Sequence, residues 1–536
     1  GASANFPYGA ELTPGVYANL EPSIAGLRPF SGVVGDATNP GLTFQLRDPD
    51  SDPSSLQLSV FSSNQVVVPN ANLSLTSGAG GFHTLFLNPL SVGYSWIRLV
   101  ITDDDLVVTQ SFLYAASGRG PAATFFHSGM SDASAAFALD ANYMWVGDDE
   151  NQTLKLYDRR RSGEPIAGVN FDSFLGLTDI DNGIPREVDI EGSTHVGNRI
   201  FWIGSHSLSS EADVRPNRSR LFATDIVGSG TNTTFIYRGR YDFFKEDLAA
   251  WDSGNFHGKG ANYYGMVASQ QAGVDPKSPD GSGFNIEGLS MAPASSTVGY
   301  LAFRAPIVPA TNRNFALIIP VLNFTALAGT NLPPGSAVFG APIELDLYGR
   351  GIRSIEGSDA GFLIVGGPAA SLPGSYPVDF RLYTWTGFAG SQPQQLSANL
   401  LGLNAEAIVE IPASPWNSNT IVQLLSDNGT VIFYNDNIEA KHLPYPAFKK
   451  FRDDHVPMGN VVKPMPIIRR LSFVGSNLTI TWRALQGETY RVQSCSSLPS
   501  PGWTDIAGDV LAMGPLASKT FLVTGSPRFY QVKVLP

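Results

Sequence analysis

Cysteine occurs once in 536 residues, at Cys495, so a disulfide framework and a cysteine-ligated zinc site are both excluded. Charge is scarce too. Asp, Glu, Lys and Arg make up 15% of the chain, and Lys+Arg number 35 against 47 Asp+Glu. The net charge of -12 argues against the basic footprint of a nucleic-acid binder. No apolar run approaches the roughly 18 residues of a membrane span. The longest candidate, Phe315–Phe324, is short and broken by Pro320. The opening GASANFPYGAEL has neither the basic nor the apolar stretch of a signal peptide, so we expect a mature, soluble protein from which any export leader has been removed. G-x-S-x-G, H-E-x-x-H and Walker signatures are missing, which leaves lipase-type, zincin and P-loop chemistry without support.

What is abundant is Gly (55) and Pro (38), alongside 43% hydrophobic and 11% aromatic residues. Such a chain can bury a large core, and intrinsic disorder is excluded. The segment from about 40 to 116 reads as short alternating strands (LTFQL, LQLSVFSS, FHTLFLNP, WIRLVITDDD), the pattern of an antiparallel sandwich. With DPDSDPSSL and SSNQVVVPNANLSL it resembles bacterial Ig-like, cadherin-like modules. From about Pro464, LSFVGSNLTITWRA, ETYRVQSC and PRFYQVKVLP alternate again, and Trp482, Tyr490, Trp503 and Tyr530 sit where core aromatics belong. Carbohydrate stacking is the other reading of those rings. This part resembles the small β-sandwich tails of secreted bacterial proteins. The expected division is therefore an all-β chain with a sandwich over 1–118, a central domain over 119–458 and a second sandwich over 459–536.

Between Phe126 and about Tyr445 one pattern returns five times, opening on DASA (Asp132–Ala135), DIEG (Asp189–Gly192), NIEG (Asn285–Gly288), SIEG (Ser354–Gly357) and NAEA (Asn404–Ala407). An apolar strand follows each (YMWVGDD, IFWIGSHS, GYLAFRAP, GFLIVGGP, IVQLLSDN), then a third and, for most repeats, a fourth. Units that cannot bury their own faces, four strands at a time, spell a β-propeller of five blades. A sixth would have to hide in the insertion Lys245–Ser282, and the strand closing the fifth would come from the incoming segment Ala122–His127.

Innermost strands line the axis, and alternate residues share a side. One ring is then Ser134, Glu191, Glu287, Glu356 and Glu406, with Asp132, Asp189, Asn285, Ser354 and Asn404 as a second. Carboxylates so close need a cation or raised pKa values, and an all-oxygen set suits calcium or magnesium. The metal candidates are Glu191, Glu287, Glu356, Glu406 and Asp189, with calcium as the expected ion. A structural reading stands beside it, with each Glu accepting backbone N–H groups and each Gly permitting a tight bend. At the strand ends, His206 or Asp148 would be the general base and Arg304 would steady developing negative charge. Equally, His206 would be a hydrogen-bonded structural residue and Arg304 the partner of a channel Glu. Arg215, Arg218, Arg220, Arg350 and Arg353 add positive charge suited to an oxyanion. The acidic runs Asp48–Asp52 and Asp103–Asp105 read as solvated turns.

Taken together, LDANYMWVGDDENQTLKLYD, IFWIGSHS with RPNRSRLFATD, NIEGLS, ELDLYGRGIRSIEG and LLSDNGTV resemble a bacterial β-propeller family of unknown function. More distantly, the Ile-Glu-Gly strand is similar to phytase-like and gluconolactonase-like propellers, some of which hold calcium in the channel. The nearer resemblance implies a fold and no activity; the farther one implies, by analogy, a metal-dependent hydrolase. The expectation is an exported or cell-surface bacterial hydrolase of phosphoester, lactone or ester substrates. The alternative is a non-catalytic protein that binds a small, phosphorylated or polysaccharide ligand or serves in adhesion.

Overall fold

The computed structural model describes every residue except 1–18, 105, 122, 330–331, 371–375, 464–465, 500–501, 515, 524–527 and 536. The N-terminal GASANFPYGAEL, Asp105, Ala122 and Pro464, which entered the reading above, lie outside the described residues. The fold is all-β in its regular core, and the chain divides into two compact units. One comprises Gly1–Asp132, Tyr157–Ile166 and Asn428–Arg452; the other comprises Ala133–Leu156, Ala167–Asp427 and Asp453–Pro536.

In the first unit two four-stranded sheets share one core. Their orders are Ser23–Ala25, Leu42–Arg47, Phe82–Leu87, Leu73–Ser77 and Phe30–Val33, Leu106–Ser117, Gly93–Asp103, Gln57–Ser62. Alternation does the sorting. Leu42, Phe44 and Leu46 point inward from one sheet and meet Ile97, Leu99 and Ile101 from the other.

In the second unit the described residues include a succession of four-stranded sheets, the first four each in chain order. Sheet 1 begins with Ala133–Ala138, sheet 2 with Ile190–Val196, sheet 3 with Asn285–Met291 and sheet 4 with Gly351–Ser358. Sheet 5 begins with Ala405–Ile408 and continues through Ile421–Ser426 to Lys450–Pro457. The further neighbour of that last strand is Thr124–Ser128, which shares the first unit with residues 450–452. The five opening strands pack side by side in sequence order, and the fifth returns to the first, closing a β-propeller-like ring.

Continuous apolar runs make this possible because each sheet is covered on both faces. In sheet 2, Ile200 and Trp202 join the core shared with sheet 1, whereas Phe201 and Ile203 join the core shared with sheet 3. The same split recurs at Tyr300 and Ala302 against Leu301 and Phe303, and at Phe362 and Ile364 against Leu363 and Val365. Each of these large side chains contributes about 1.5–3 kcal/mol when fully buried.

The insertion Lys245–Ser282 holds no described strand. It forms the helix Phe244–Ser253 and the short helix Met266–Ser269, packed through Trp251 and Tyr264 onto the core between sheets 2 and 3. Buried Asp252 organises it, accepting the N–H groups of Tyr264 (3.0 Å) and Met266 (2.8 Å). The C-terminal strands keep Trp482 and Tyr490 in a core of their own, with ring centroids 6.0 Å apart. Trp503 and Tyr530 stay partly exposed. Among the described residues no helix is long and apolar enough to cross a membrane.

Candidate functional site: an axial ring of bulged residues

Every opening strand of the ring carries a β-bulge. Pairing to the second strand skips Ser134 in sheet 1, Glu191 in sheet 2, Glu287 in sheet 3, Arg353 in sheet 4 and Glu406 in sheet 5. A bulged residue is freed from the ladder and re-aimed, so these five are the structural equivalents. Here the register differs from the sequence expectation. The Ile-Glu-Gly of sheet 4 is three positions late, and the bulge falls on Gly-Ile-Arg-Ser, placing Arg353 where Glu356 was expected. The second ring shifts with it, from Ser354 to Gly351.

The replacement changes the electrostatics of the axis. Arg353 Nη2 donates to Glu406 Oε1, and Arg353 Nε lies 2.5 Å from Glu287 Oε2, an ion pair too bent to count as a hydrogen bond. Ser134 Oγ donates to the other Glu406 oxygen at 3.1 Å. Arg304 sits in a facing irregularity of sheet 3 and donates from Nη1 to Glu287 Oε1 at 2.9 Å, an oxygen that also accepts from Asn285 Nδ2 at 2.7 Å. Burial, with Arg304 alongside, lowers the Arg353 pKa to about 10, which leaves it charged at neutral pH.

Glu191 is the exception. It is 7% exposed, and neither a hydrogen bond nor an ion pair reaches its carboxylate. Burial, then Glu287 and Asp189, push its pKa well above the ordinary carboxylate range. Its oxygen lies with those of Asp149 and Asp189 in a group whose members are all within 4.8 Å of one another. Oxygens bound to one cation at 2.3–2.6 Å have that separation, so the donor set fits a hard divalent ion.

Local structure aims each member. Asp189 has φ 60°, just before the sheet 2 strand, and its carboxylate is fixed by Ser205 Oγ, by Ser207 Oγ at 3.4 Å and by Arg218 Nη1 at 2.9 Å. Asp148 closes the turn that carries Asp149, accepting from Glu150 N at 3.0 Å and from Asn151 Nδ2 at 2.9 Å. Lys277, from the insertion, is exposed and within electrostatic reach of these groups. Arg304 foremost, then burial and Arg353, lower its pKa, while Glu287 and Asp189 oppose the shift.

The remaining expected residues are placed elsewhere. His206 is fully buried at φ 57°, with Nδ1–H donating to Gly204 O at 2.7 Å, Phe244 against its ring and Nε2 facing no partner. Burial lowers its pKa to about 3, so it is neutral at physiological pH. Glu356 lines the axis beyond the bulges, where its exposed surface faces a cavity of about 10 Å³, room for roughly one water. Burial pushes its pKa up to about 8 against the Gly357 N–H, with Glu410 adding to the rise. Arg220 donates to the Leu175, Pro216 and Ser219 carbonyls, and Arg350 pairs with Asp379.

Of the expected metal set, Asp189 and Glu191 converge, Glu287 and Glu406 are held by arginine, and Glu356 lines one small cavity with Glu191 and Glu287. Asp149 closes the YMWVGDD strand with no signal that separates it from its neighbour Asp148, and Lys277 lies in a segment without strand pattern.

A family model described as "Protein of unknown function (DUF3616)" matches residues 132–223 and 278–427, covering most of the five-sheet region. No curated protein matches the chain. Among solved structures, a quinonprotein alcohol dehydrogenase-like protein from Bacteroides thetaiotaomicron is similar at 10% identity and TM-score 0.20, over 92% of this chain and 96% of that one. Titin domains z1z2 in complex with telethonin are similar at 11% identity and TM-score 0.15, over 41% of this chain and 96% of theirs. Human protocadherin-24 EC1-2 gives 13%, 0.14, 41% and 94%. At such TM-scores a likeness is too loose to support an inference. The chain is thus similar, over the sheets that build the site, to a family whose function is open.

Proposed function

We propose that this chain is an exported five-bladed β-propeller, preceded by an Ig- or cadherin-like sandwich, that binds a divalent cation, calcium first, and through it an oxyanion-bearing small ligand. Asp149, Asp189 and Glu191 would hold the cation, and Lys277, exposed and within electrostatic reach of Asp189, would meet phosphate or carboxylate oxygens. The observation that carries the reading is Glu191. It is a buried carboxylate with no donor, in a ring where Glu287 and Glu406 each have an arginine. Leaving such a charge unpaired costs several kcal/mol, and a cation offsets that cost.

When bound, the cation would supply Lewis-acid polarisation of a phosphoryl or ester oxygen. That favours a second reading, hydrolysis of phosphoester, lactone or ester substrates. Binding without turnover comes first, because His206 and Asp148 are engaged inside the fold and Arg304 is spent on Glu287.

Calorimetric titration of the chelator-treated protein with calcium tests the proposal. Saturable binding that Glu191→Gln weakens by about tenfold or more supports it. Unchanged calcium binding in Glu191→Gln and Asp149→Asn overturns it. A panel of phosphate, lactone and ester substrates, with and without chelator, decides between binding and hydrolysis.

A further inference from the structure

A cleft of about 690 Å³ opens within the second unit, away from the axial ring. Its walls are the outer strands of sheet 4 (Arg381–Trp385 and Gln394–Gln395), their connecting loop, Trp416, and the C-terminal segments around Arg483 and Met513. From its lining we infer that this cleft binds a neutral oligosaccharide. The inference is independent of the cation proposal.

Aromatic surface comes first. Gly361 has φ 137°, and a Cβ there would stand 3.2 Å from Trp416 Cη2, so the indole lies against bare backbone. The indole N–H groups are already used, Trp416 Nε1 donating to Pro412 O at 2.9 Å and Trp385 Nε1 to Ser391 O at 3.3 Å. Trp385 is buried in the core, so it is the partly exposed Trp416 that offers a ligand carbon. Phe388 adds a second ring, 61% exposed although its loop is pinned. Ser391 N donates to Phe388 O at 3.0 Å, and Phe388 N to Thr386 Oγ1 at 3.3 Å. Met513, 78% exposed, lines the same cleft.

Polar capacity lies beside these rings. The side-chain amides of Gln394 and Gln486 are exposed and make no hydrogen bond within the fold, and Asp359 uses one oxygen, accepting Ala294 N at 2.9 Å. Charge then narrows the ligand class. Arg483 is the only cation among the described lining residues; it is paired with Asp346 and stacked 3.8 Å above the Tyr348 ring. Nothing is left to pair with an anion. Flat apolar faces bordered by free amides and a carboxylate, without spare positive charge, match a pyranose. Its C–H face stacks on aromatics while its hydroxyls both donate and accept. The volume lies within the range of pockets that enclose small ligands.

The test is intrinsic tryptophan fluorescence during titration with maltohexaose, cellohexaose, laminarihexaose, xylohexaose and mannohexaose at millimolar concentration. At least one is expected to give a saturable change that persists in chelator. The surface double variant Phe388→Ala/Gln486→Ala should weaken that sugar about tenfold or more without moving the unfolding midpoint. The inference fails if no hexasaccharide binds, if the double variant binds as well as the parent, or if only charged oligogalacturonates bind. A chelator-sensitive signal would assign the sugar to the axial site and also overturn it.

Discussion

Glu287 and Glu191 occupy the same bulge in neighbouring sheets, and their surroundings could hardly differ more. Glu287 has Arg304, Arg353 and Asn285 on its oxygens, whereas Glu191 groups with two further acidic residues and feels the same two arginines only from a distance. Position alone therefore does not decide what an axial carboxylate does. Where a neighbouring strand supplies a guanidinium, the carboxylate is part of the architecture. Where it supplies acid, the carboxylate stays without a donor, which is the opening the proposed cation would fill.

The strongest challenge to this contrast is Arg353→Met, which would strip Glu287 and Glu406 of their common partner. Breaking a buried pair from one side costs about 3–5 kcal/mol, so a loss of that size in urea unfolding is expected. A change within experimental error would mean that the arginine is not what neutralises this half of the axis. Next in size is Glu191→Gln. It should weaken calcium by at least about tenfold, since site charge sets calcium affinity. In chelator the same variant should be slightly more stable than the parent, because an unpaired buried carboxylate has gone.

Smaller effects come from pH. Glu356 titrates near 4.5 unfolded and about 8 folded, so the folded state keeps a proton that the unfolded state has lost. Stability should therefore fall as pH rises through that interval and level off above it. His206 acts with the opposite sign: its pKa falls from 6.5 to about 3 on folding, so it removes stability as pH drops below 6.5. Between pH 6.5 and 8 the falling Glu356 contribution is opposed by buried Lys450, whose pKa drops from 10.5 to about 7 on folding, so Glu356→Gln should turn the slope more positive in chemical-denaturation curves. Smallest of all, His206→Gln should leave the pH dependence of calcium binding without a change near 6.5, since the imidazole is neutral and faces no ligand.

Much of the architecture was legible. Apolar runs such as IFWIG and FLIV marked strands covered on both sides, and the recurring opening segments marked a propeller-like succession of sheets. What misled was a tetrapeptide. SIEG matches DIEG and NIEG letter for letter at three places, yet a bulge is set by which residue the partner strand skips, and composition does not record that. The convergence of Asp149 on Asp189 and Glu191 is a fact of the turn after Asp148, which a strand-by-strand reading had not connected with the ring. Arg304 was weighed as partner or catalyst, and its 2.9 Å contact with Glu287 gives the partner role. His206 looked chemical in Gly-Ser-His-Ser, but its left-handed backbone turns the ring into the protein.

The five bulges have a consequence for how such a molecule changes over time. A side chain hanging outside the ladder can be exchanged without re-pairing a single strand, so the hub behaves like a wheel with replaceable spokes. Trading the arginine and the lone glutamate between two spokes would shift the axis's positive charge a fraction of a turn around the hub, at the cost of two codons and no rearrangement of the rim.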